Sequence, residues 1–199
     1  LLLEWQRLSS GKMINLKNLR NKKVGVLGLE KTGLSVVKAV EQAGGLLICW
    51  DDNKEKRDKS KVNGITVKDL NDKSLIRELD LLVVSPGVPH LYPNAHPIVN
   101  LAYELNIRVD NDIGLFFSSY IEDYYDTFSD PPKIIAITGS NGKSTATALA
   151  NHVFSQFFGD VEMGGNIGKP VLELSPLKEG SIRLLELSSY QIELAKDLA

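Results

Sequence analysis

The sequence predicts an α/β protein with two successive parallel-sheet domains. β-Branched apolar runs of strand length alternate with helix-favouring segments along the chain. Two of these runs, at residues 24–28 and 134–137, lead into glycine turns that open helices. An acidic segment that ends in Pro131-Pro132 separates the two patterns. We therefore predict a Rossmann-like parallel-sheet domain followed by a P-loop α/β domain.

The domain boundaries follow from the same patterns. The first domain is expected to span residues 13–125, a linker residues 126–132 and the second domain residues 133–199. Residues 133–199 are too few to close a nucleotide-binding sheet with its covering helices, so the second domain is predicted to be truncated. Residues 1–12 precede Met13 and are expected to be an upstream extension. A marked loss of thermal stability on their deletion would contradict that expectation.

The first domain opens with a β-α-β unit. After the first strand and its glycine turn, a helix ends at Gly44-Gly45. A second strand follows at residues 46–50, and Asp51 stands at its tip, about 20 residues beyond the turn glycines. An acid in this place usually binds a ribose or a base, which indicates a nucleotide ligand.

A dinucleotide is one alternative for that ligand. A dinucleotide site requires a glycine at position 30, because the backbone approaches the pyrophosphate there. Glu30 occupies the position, and its carboxylate would crowd and repel the pyrophosphate. The other alternative is a nucleotide whose diphosphate is held differently.

A later strand of the first domain ends in a rigid turn. Residues 80–85 form the predicted strand, and prolines and a glycine follow at residues 86–89. Ligands of open α/β sheets bind outside the carboxyl ends of the strands, so Ser85 is a candidate ligand contact. A plain turn is the alternative. The mixed-charge run at residues 53–61 is expected to be a solvated loop and helix face.

The second domain begins with a predicted buried strand and a phosphate-binding loop. Gly139 and Gly142 allow backbone conformations that bring N–H groups together around phosphate oxygens. Lys143 is placed to reach the β- and γ-phosphates of ATP, and the hydroxyl of Ser144 to bind Mg²⁺. The match is the short form G-x-x-G-K-S, since Ile137 stands where the full motif has its first glycine.

The helix behind this loop is expected to run from about residue 144 to 158. Its predicted buried stripe consists of Ala148, Leu149, Val153 and Phe157. His152 falls near that stripe and is expected to be a packed core histidine.

Two further segments add polar groups to the second domain. The glycine-rich loop at residues 163–170 carries Asn166, which offers both a donor and an acceptor, although a flexible connector is the alternative. Glu186 stands near the end of a predicted strand at residues 182–187. A buried charge needs a partner, and the prediction is Mg²⁺ shared with Ser144, with a buried salt bridge as the alternative.

The composition excludes several classes of function. The 199 residues carry a net charge of −2, which provides no strong field for nucleic acid. The single cysteine, Cys49, excludes an internal disulfide framework and fits a reducing cytoplasm. The apolar runs are too short to span a membrane. We therefore expect a cytoplasmic protein, monomeric, that binds neither nucleic acid nor a membrane.

Several segments together resemble the Mur ligase family, cytoplasmic enzymes of peptidoglycan synthesis. They are residues 28–35 (GLEKTGLS), 85–87 (SPG), 112–113 (DI) with 115–116 (LF), 137–145 (ITGSNGKST), 164–168 (GGNIG) and 185–191 (LELSSYQ). These segments occur in the family's order across residues 13–199, and the shortened phosphate loop is the family's own form. The last two segments resemble the branch of the family that adds D-glutamate.

This resemblance implies roles for particular residues. The first domain would bind UDP-N-acetylmuramoyl-L-alanine, with Thr32 at the diphosphate, Asp51 near the uridine and Ser85 as a further contact. The second domain would bind ATP and Mg²⁺, and D-glutamate would be the other substrate. The implied ATP-binding residues are Gly139, Ser140, Asn141, Gly142, Lys143, Ser144 and Thr145. Lys143, Asn166 and Glu186 would be catalytic, and Ser144 and Glu186 would hold the metal.

The sequence also departs from the family's pattern. Glu30 replaces the glycine common in the first turn, and Asp52-Asn53 replaces the more usual Thr-Arg pair, which removes a positive group expected near the nucleotide. The family's third domain, and the histidine and carbamylated lysine of its central domain, fall outside residues 1–199. The resemblance implies part of an ATP-dependent amide ligase that adds D-glutamate to UDP-N-acetylmuramoyl-L-alanine through an acyl phosphate, and we expect this fragment to be inactive alone. The alternatives are a non-catalytic nucleotide-binding fragment and a dinucleotide-dependent dehydrogenase domain.

Overall fold

The computed structural model describes residues 13–91, 93–123 and 127–194, so the predicted extension at residues 1–12 lies outside the described residues. The described chain divides into two compact units. Residues 16–112 form the first unit, and residues 13–15 and 113–194 form the second. The division falls directly after the first residue of a helix, Asp112–Asp123, that the sequence places in the first domain.

The first unit is built on a parallel four-stranded sheet with the strand order β2-β1-β3-β4. The strands are β1 (Lys23–Leu27), β2 (Leu46–Trp50), β3 (Leu81–Val84) and β4 (Arg108–Asp110). Val24 of β1 pairs with Leu47 on one side and with Leu81 on the other. The chain leaves β1 toward β2 and later returns past β1 to β3. Such a reversal creates a crevice at the carboxyl ends of the strands, where ligands of open α/β sheets bind.

Four helices accompany this sheet. They are α1 (Lys31–Ala43), α2 (Lys54–Val62), α3 (Lys73–Arg77) and α4 (Pro97–Glu104), and a 3₁₀ turn covers Lys17–Leu19. α1 buries Val36, Val37 and Val40 at helical spacing, and each such side chain contributes about 1.5–3 kcal/mol when fully buried. Gly44 ends the helix in a left-handed conformation, with φ of 78°. The predicted β-α-β unit is therefore present.

The second unit contains a smaller parallel sheet with the strand order β5-β7-β6. Its elements are α5 (Asp112–Asp123), β5 (Lys133–Ile137), α6 (Lys143–Phe154), β6 (Val161–Gly165), a 3₁₀ turn at Val171–Glu173, β7 (Ile182–Glu186) and α7 (Ser189–Leu194). The central strand β7 is buried throughout. β5 has the predicted position but is only partly buried, because it lies at the edge of the sheet.

The predicted buried stripe of α6 is wrong. Leu149 is 61% exposed and Phe157 78% exposed, and Ala148, Val153 and His152 are exposed as well. The less exposed residues of α6 are Lys143, Thr147, Ala150, Asn151 and Phe154, which also follow helical spacing. Apolar periodicity identifies a face of a helix but not the neighbour that covers it. The helix also ends at Phe154 rather than near residue 158.

The prediction of an α/β protein with parallel sheets is confirmed. ATP binding by the second unit stays a prediction at this point. None of the helices within the described residues combines the length and the apolar character that crossing a membrane requires.

Candidate nucleotide-binding sites

A cavity of about 280 Å³ opens at the carboxyl ends of β1, β2 and β3. It lies where the strand order reverses, and its volume is near the lower limit of about 300 Å³ for small-molecule sites. The described residues that line it are Leu27, Gly28, Glu30, Asp51, Asp52, Lys56, Ser85, Gly87, Val88, Pro89 and His96. The predicted site residues Asp51 and Ser85 are in this lining, whereas Thr32 is not among the described lining residues.

The glycine turn after β1 packs too closely for side chains. Gly28 has φ of +96°, and a Cβ atom on Gly33 would lie 1.8 Å from the carbonyl oxygen of Gly28. The hydroxyl of Ser85 donates a 3.0 Å hydrogen bond to that same carbonyl. Ser85 therefore lines the cavity and also stabilises the glycine turn. The two predicted roles, a ligand contact and a residue of a plain turn, are compatible. Thr32 is partly buried in the first turn of α1.

Asp51 joins the glycine turn to the start of α2. One carboxylate oxygen accepts a hydrogen bond from the backbone N–H of Leu29 at 2.8 Å, and the other accepts from the N–H of Asn53 at 2.9 Å. The side chain of Asn53 in turn caps α2 by accepting from two backbone N–H groups. The buried acid at the tip of β2 thus has a structural role within the site.

Two hydrogen-bonded side-chain pairs complete the cavity wall. Nζ of Lys56 donates to Oε1 of Glu30 and lies 3.9 Å from Oδ2 of Asp51. Nε2 of His96 lies 2.8 Å from Oδ2 of Asp52. Because Nδ1 of His96 accepts from a backbone N–H in α4, the neutral ring carries its proton on Nε2 and donates to Asp52. This hydrogen bond lowers the pKa of Asp52 below its ordinary value.

Neither Lys56 nor His96 was predicted from the sequence. The run at residues 53–61 was expected to be solvated throughout, yet Lys56 faces the cavity. Lys56 follows the acidic residues at the tip of β2 by about one helical turn, and this spacing is the feature of the sequence that indicates a position beside the site. Arg57 beside it is held elsewhere, since its guanidinium donates to the carbonyls of Asp51 and Asp52 and stacks 4.3 Å from the ring of Trp50.

The second unit gathers its polar groups at the carboxyl edge of its own sheet. In the strand register, Glu186 of β7 lies between Ile137 of β5 and Gly165 of β6. The phosphate loop begins directly after Ile137. Asn166 follows Gly165, and its N–H donates a 3.0 Å hydrogen bond to the carbonyl of Glu186. The topology therefore brings all three predicted segments to one edge.

The side chain of Glu186 is buried without full hydrogen bonding. The residue is 4% exposed, and its Oε2 has no hydrogen-bond partner among the residues that the structure describes. Among the residues that the structure describes, no cation lies within ion-pair distance of this carboxylate. The buried Arg183 on the same strand pairs instead with Asp160, at 3.1 Å. The alternative of a salt bridge for Glu186 is therefore not found in the described part of the chain.

The phosphate loop has the backbone that its glycines predict. Gly139 has φ of +149°, and Gly142 has φ of +74° at the N-cap of α6. Nζ of Lys143 folds back over the loop and donates a 2.7 Å hydrogen bond to the carbonyl of Gly139. Ser144 and Thr145 are exposed at the start of the helix.

The chemistry of these groups suits Mg²⁺. This ion prefers oxygen ligands and is usually held by one or two carboxylates together with water and substrate phosphates. The unpartnered Oε2 of Glu186 and the hydroxyl of Ser144 meet that description. Within the described residues there is no group of three or more His, Cys, Asp or Glu side chains placed to hold a metal by themselves. Water and substrate phosphates would therefore supply the remaining ligands of any Mg²⁺ bound here.

The geometry defines a two-unit α/β protein whose polar residues gather at the carboxyl edges of parallel sheets. Over 186 residues, 94% of its length, the chain is 45% identical to the proteins named UDP-N-acetylmuramoylalanine--D-glutamate ligase from Ruegeria pomeroyi and Cereibacter sphaeroides. It is 43% identical to that of Roseobacter denitrificans over the same share. The chain is thus a homologue of the UDP-N-acetylmuramoylalanine--D-glutamate ligases, which confirms the resemblance drawn from its motifs.

The chain spans 40% of the length of these relatives. No protein-family model matches it. Among solved structures, a shikimate dehydrogenase from Aquifex aeolicus has a TM-score of 0.40 at 16% identity, and the match covers 52% of this chain and 47% of the other. A likeness that weak supports no inference about function.

Proposed function

We propose that this chain provides the UDP-substrate site and the ATP site of a ligase that joins D-glutamate to UDP-N-acetylmuramoyl-L-alanine in peptidoglycan synthesis. The identity to curated ligases supports the reaction class. The single observation that carries the ATP site is the unpartnered, buried oxygen of Glu186 beside the phosphate-loop strand. The proposal includes a cytoplasmic location, in keeping with a buried thiol, Cys49, whose pKa is raised to about 12 by burial.

The proposed chemistry activates a carboxylate, which is otherwise a poor electrophile. An oxygen of the substrate's alanine carboxylate attacks the γ-phosphorus of ATP, so that an acyl phosphate forms and ADP leaves. The amine of D-glutamate then attacks the acyl carbon, the amide bond forms and inorganic phosphate leaves, while the amine loses a proton. The protein contributes positioning and charge neutralisation, as in other phosphoryl transfers.

The phosphate loop would act first by binding. The N–H groups of residues 139–142 would hold phosphate oxygens at the start of α6, where the helix dipole favours negative charge. Lys143 would exchange the carbonyl of Gly139 for a phosphate oxygen, which is the stronger acceptor. Ser144 and Glu186 would hold Mg²⁺, which neutralises phosphate charge when bound. Asn166 is proposed for the phosphoryl-transfer site, because its backbone is bonded to that of Glu186.

The cavity of the first unit would receive the UDP part of the substrate. Thr32 in the first turn of α1 is proposed to contact the diphosphate, and Ser85 to contact the substrate at the cavity wall. Asp51 is proposed to face the uridine. Its two oxygens each accept one backbone N–H, and each retains a lone pair for a ligand donor.

Calorimetric titration of the 199-residue chain with ATP in the presence of Mg²⁺ tests the ATP site. We expect Lys143→Ala and Glu186→Gln each to weaken binding at least about tenfold, because each removes a charged contact to phosphate or metal. Lys133→Ala is the matched control, since this exposed lysine begins β5, at the end of that strand away from the phosphate loop, and pairs with Asp130. Equal ATP binding by all four proteins would contradict the proposed site.

An ADP-release assay distinguishes binding from turnover. With UDP-N-acetylmuramoyl-L-alanine and D-glutamate added, we expect the 199-residue chain to bind ATP without releasing ADP. In a chain extended to the length of the relatives, Lys143→Ala should abolish ADP formation while the fold survives. Retained turnover in that variant would exclude the assigned role of Lys143. Binding of NAD, with no response to UDP compounds, would favour the dehydrogenase alternative.

A further inference from the structure

The cavity of the first unit has an unusual balance of charge for a phosphate ligand. Its described lining contains the carboxylates of Glu30, Asp51 and Asp52, and Lys56 is the only lysine or arginine in it. A phosphate group carried into this cavity therefore meets more negative than positive side chains. A cation in the lining therefore raises the affinity for a phosphate-bearing ligand, because its attraction offsets the repulsion from the carboxylates.

The three carboxylates differ in how firmly they are held. Asp51 is buried and bonded to two backbone N–H groups. Asp52 is bonded to His96 and to the indole of Trp50. The side chain of Glu30, by contrast, is 73% exposed and is held by Lys56 at its tip. Of the three carboxylates, that of Glu30 therefore requires the least free energy to move out of the cavity.

Glu30 also occupies a position that a helix-capping side chain normally fills. It is the N-cap residue of α1, yet its side chain makes no capping hydrogen bond and turns to Lys56 instead. Glu30 therefore supplies no acceptor for the N–H groups in the first turn of α1, where the helix carries a partial positive charge. The start of α1 and the ammonium of Lys56 are the positive features of this cavity wall.

Resting on the proposed function, we propose that Lys56 binds the diphosphate of the nucleotide, and that Glu30 holds Lys56 in the ligand-free protein as an internal competitor of that diphosphate. On binding, the phosphate oxygens take the place of the Glu30 carboxylate, and Glu30 turns to solvent. Lys56 thereby replaces the positive group that the Asp52-Asn53 pair does not supply. Glu30 lowers the affinity for phosphate-bearing ligands and leaves the affinity for the bare nucleoside unaffected.

Other properties of Lys56 agree with this role. Its side chain is 35% exposed, so it can move without unpacking a core. The hydrogen bond to Glu30, with the nearby charge of Asp51, raises the pKa of Lys56, so the group is a cation at neutral pH. Arg57 cannot take this part from its present position, because its guanidinium is bonded to backbone carbonyls and stacked on Trp50.

Equilibrium titration of the 199-residue chain with UDP and with uridine tests the proposal. Lys56→Met should weaken UDP binding about fivefold, and Glu30→Gln should strengthen it about threefold, the sizes expected for partly exposed charges. Neither variant should change the affinity for uridine. In the double variant, Glu30→Gln should no longer strengthen UDP binding, because the Lys56 ammonium with which Glu30 pairs has been removed.

Matched controls lie on the same helix. Lys59→Met and Glu55→Gln make the same charge changes at exposed positions of α2 outside the described cavity lining, and they should leave UDP binding unchanged. Absence of UDP binding by the unmodified chain would overturn both the proposed function and this inference. UDP binding that is the same in Lys56→Met as in the unmodified chain would overturn this inference alone, as would weaker UDP binding in Glu30→Gln.

Discussion

The carboxylates at the two sheet edges differ in what surrounds them. At the edge of the first sheet, Asp51 accepts two backbone hydrogen bonds and Glu30 pairs with Lys56. At the edge of the second sheet, Glu186 is as buried as Asp51, but within the described part of the chain one of its oxygens has no partner. A buried acid that is fully bonded stabilises a fold, whereas one that is not costs free energy until a ligand completes it. At the carboxyl edge of the first sheet (the first edge), the carboxylates are therefore paired with the protein's own groups. At the carboxyl edge of the second sheet (the second edge), this oxygen of Glu186 requires a ligand as its partner.

The largest expected effect concerns the glycine turn on which the first edge depends. Gly33→Ala should destabilise the protein by more than about 3 kcal/mol, because the new Cβ would overlap the carbonyl oxygen of Gly28, and backbone atoms cannot move aside cheaply. Helix propensity alone would give the opposite sign. Urea unfolding followed by circular dichroism measures the change.

The control for this substitution is Gly87→Ala. Among the described residues, no heavy atom lies within 4 Å of a Cβ built on Gly87, so this variant should unfold at nearly the same urea concentration as the unmodified chain. Equal stability of the Gly33 and Gly87 variants would show that the glycine turn after β1 can accommodate a Cβ atom. Close packing of that turn would then not be required for the structure of the first edge.

A smaller loss is expected when Asp51 loses its charge. Asp51→Asn should cost about 2 kcal/mol, because the amide can accept from only one of the two N–H groups and turns its own donors toward the other. Asp58→Asn, an exposed acid on α2, is the matched control and should change stability little. If both variants lose the same amount in urea unfolding, the bonded state of Asp51 contributes nothing to the first edge.

The smallest expected effect is a pKa change at the rim of the first edge. The hydrogen bond from His96 lowers the pKa of Asp52, so Asp52 adds stability above its unfolded pKa of about 3.9, and that stability is lost as the pH falls through the folded-state value. His96→Asn keeps a capping side chain for α4 but removes the imidazole. The pKa of Asp52 should then rise toward about 3.9, as read from carboxyl ¹³C shifts.

The same titration contains its own control. The pKa of Asp72 is lowered by hydrogen bonding from Ser74, away from the cavity, and it should be the same in both proteins. An unchanged pKa for Asp52 in the His96 variant would mean that the His96–Asp52 bond does not persist in solution.

The site residues that directly end or follow a strand were predictable from the sequence. Asp51, Ser85 and Glu186 each stand at the end of an apolar run, and parallel strands bring such ends together. Lys56 and His96 were not predictable in this way, because their positions depend on how α2 and the segment before α4 fold back over the sheet.

The exposed face of α6 shows another limit of sequence patterns. Leu149, Val153 and Phe157 recur at helical spacing, yet within the described structure they face away from packed neighbours. Spacing identifies which side chains share a face, whereas burial depends on the element that covers that face. The buried Arg183 was similarly unexpected as a core residue, since its acid partner Asp160 comes from the loop before β6.

The role of Glu186, whose Oε2 has no hydrogen-bond partner among the described residues, is tested most directly by hydrogen exchange of the β7 amides in the unmodified chain and in Glu186→Gln, with and without Mg²⁺ and ATP. Without ligand, the variant should be more protected, by about 1 kcal/mol, because a buried charge without a partner has been removed. With ligand, the order should reverse, since only the unmodified chain gains the full binding free energy. The same order of protection in both conditions would contradict the assignment of Glu186 to the metal and phosphate site.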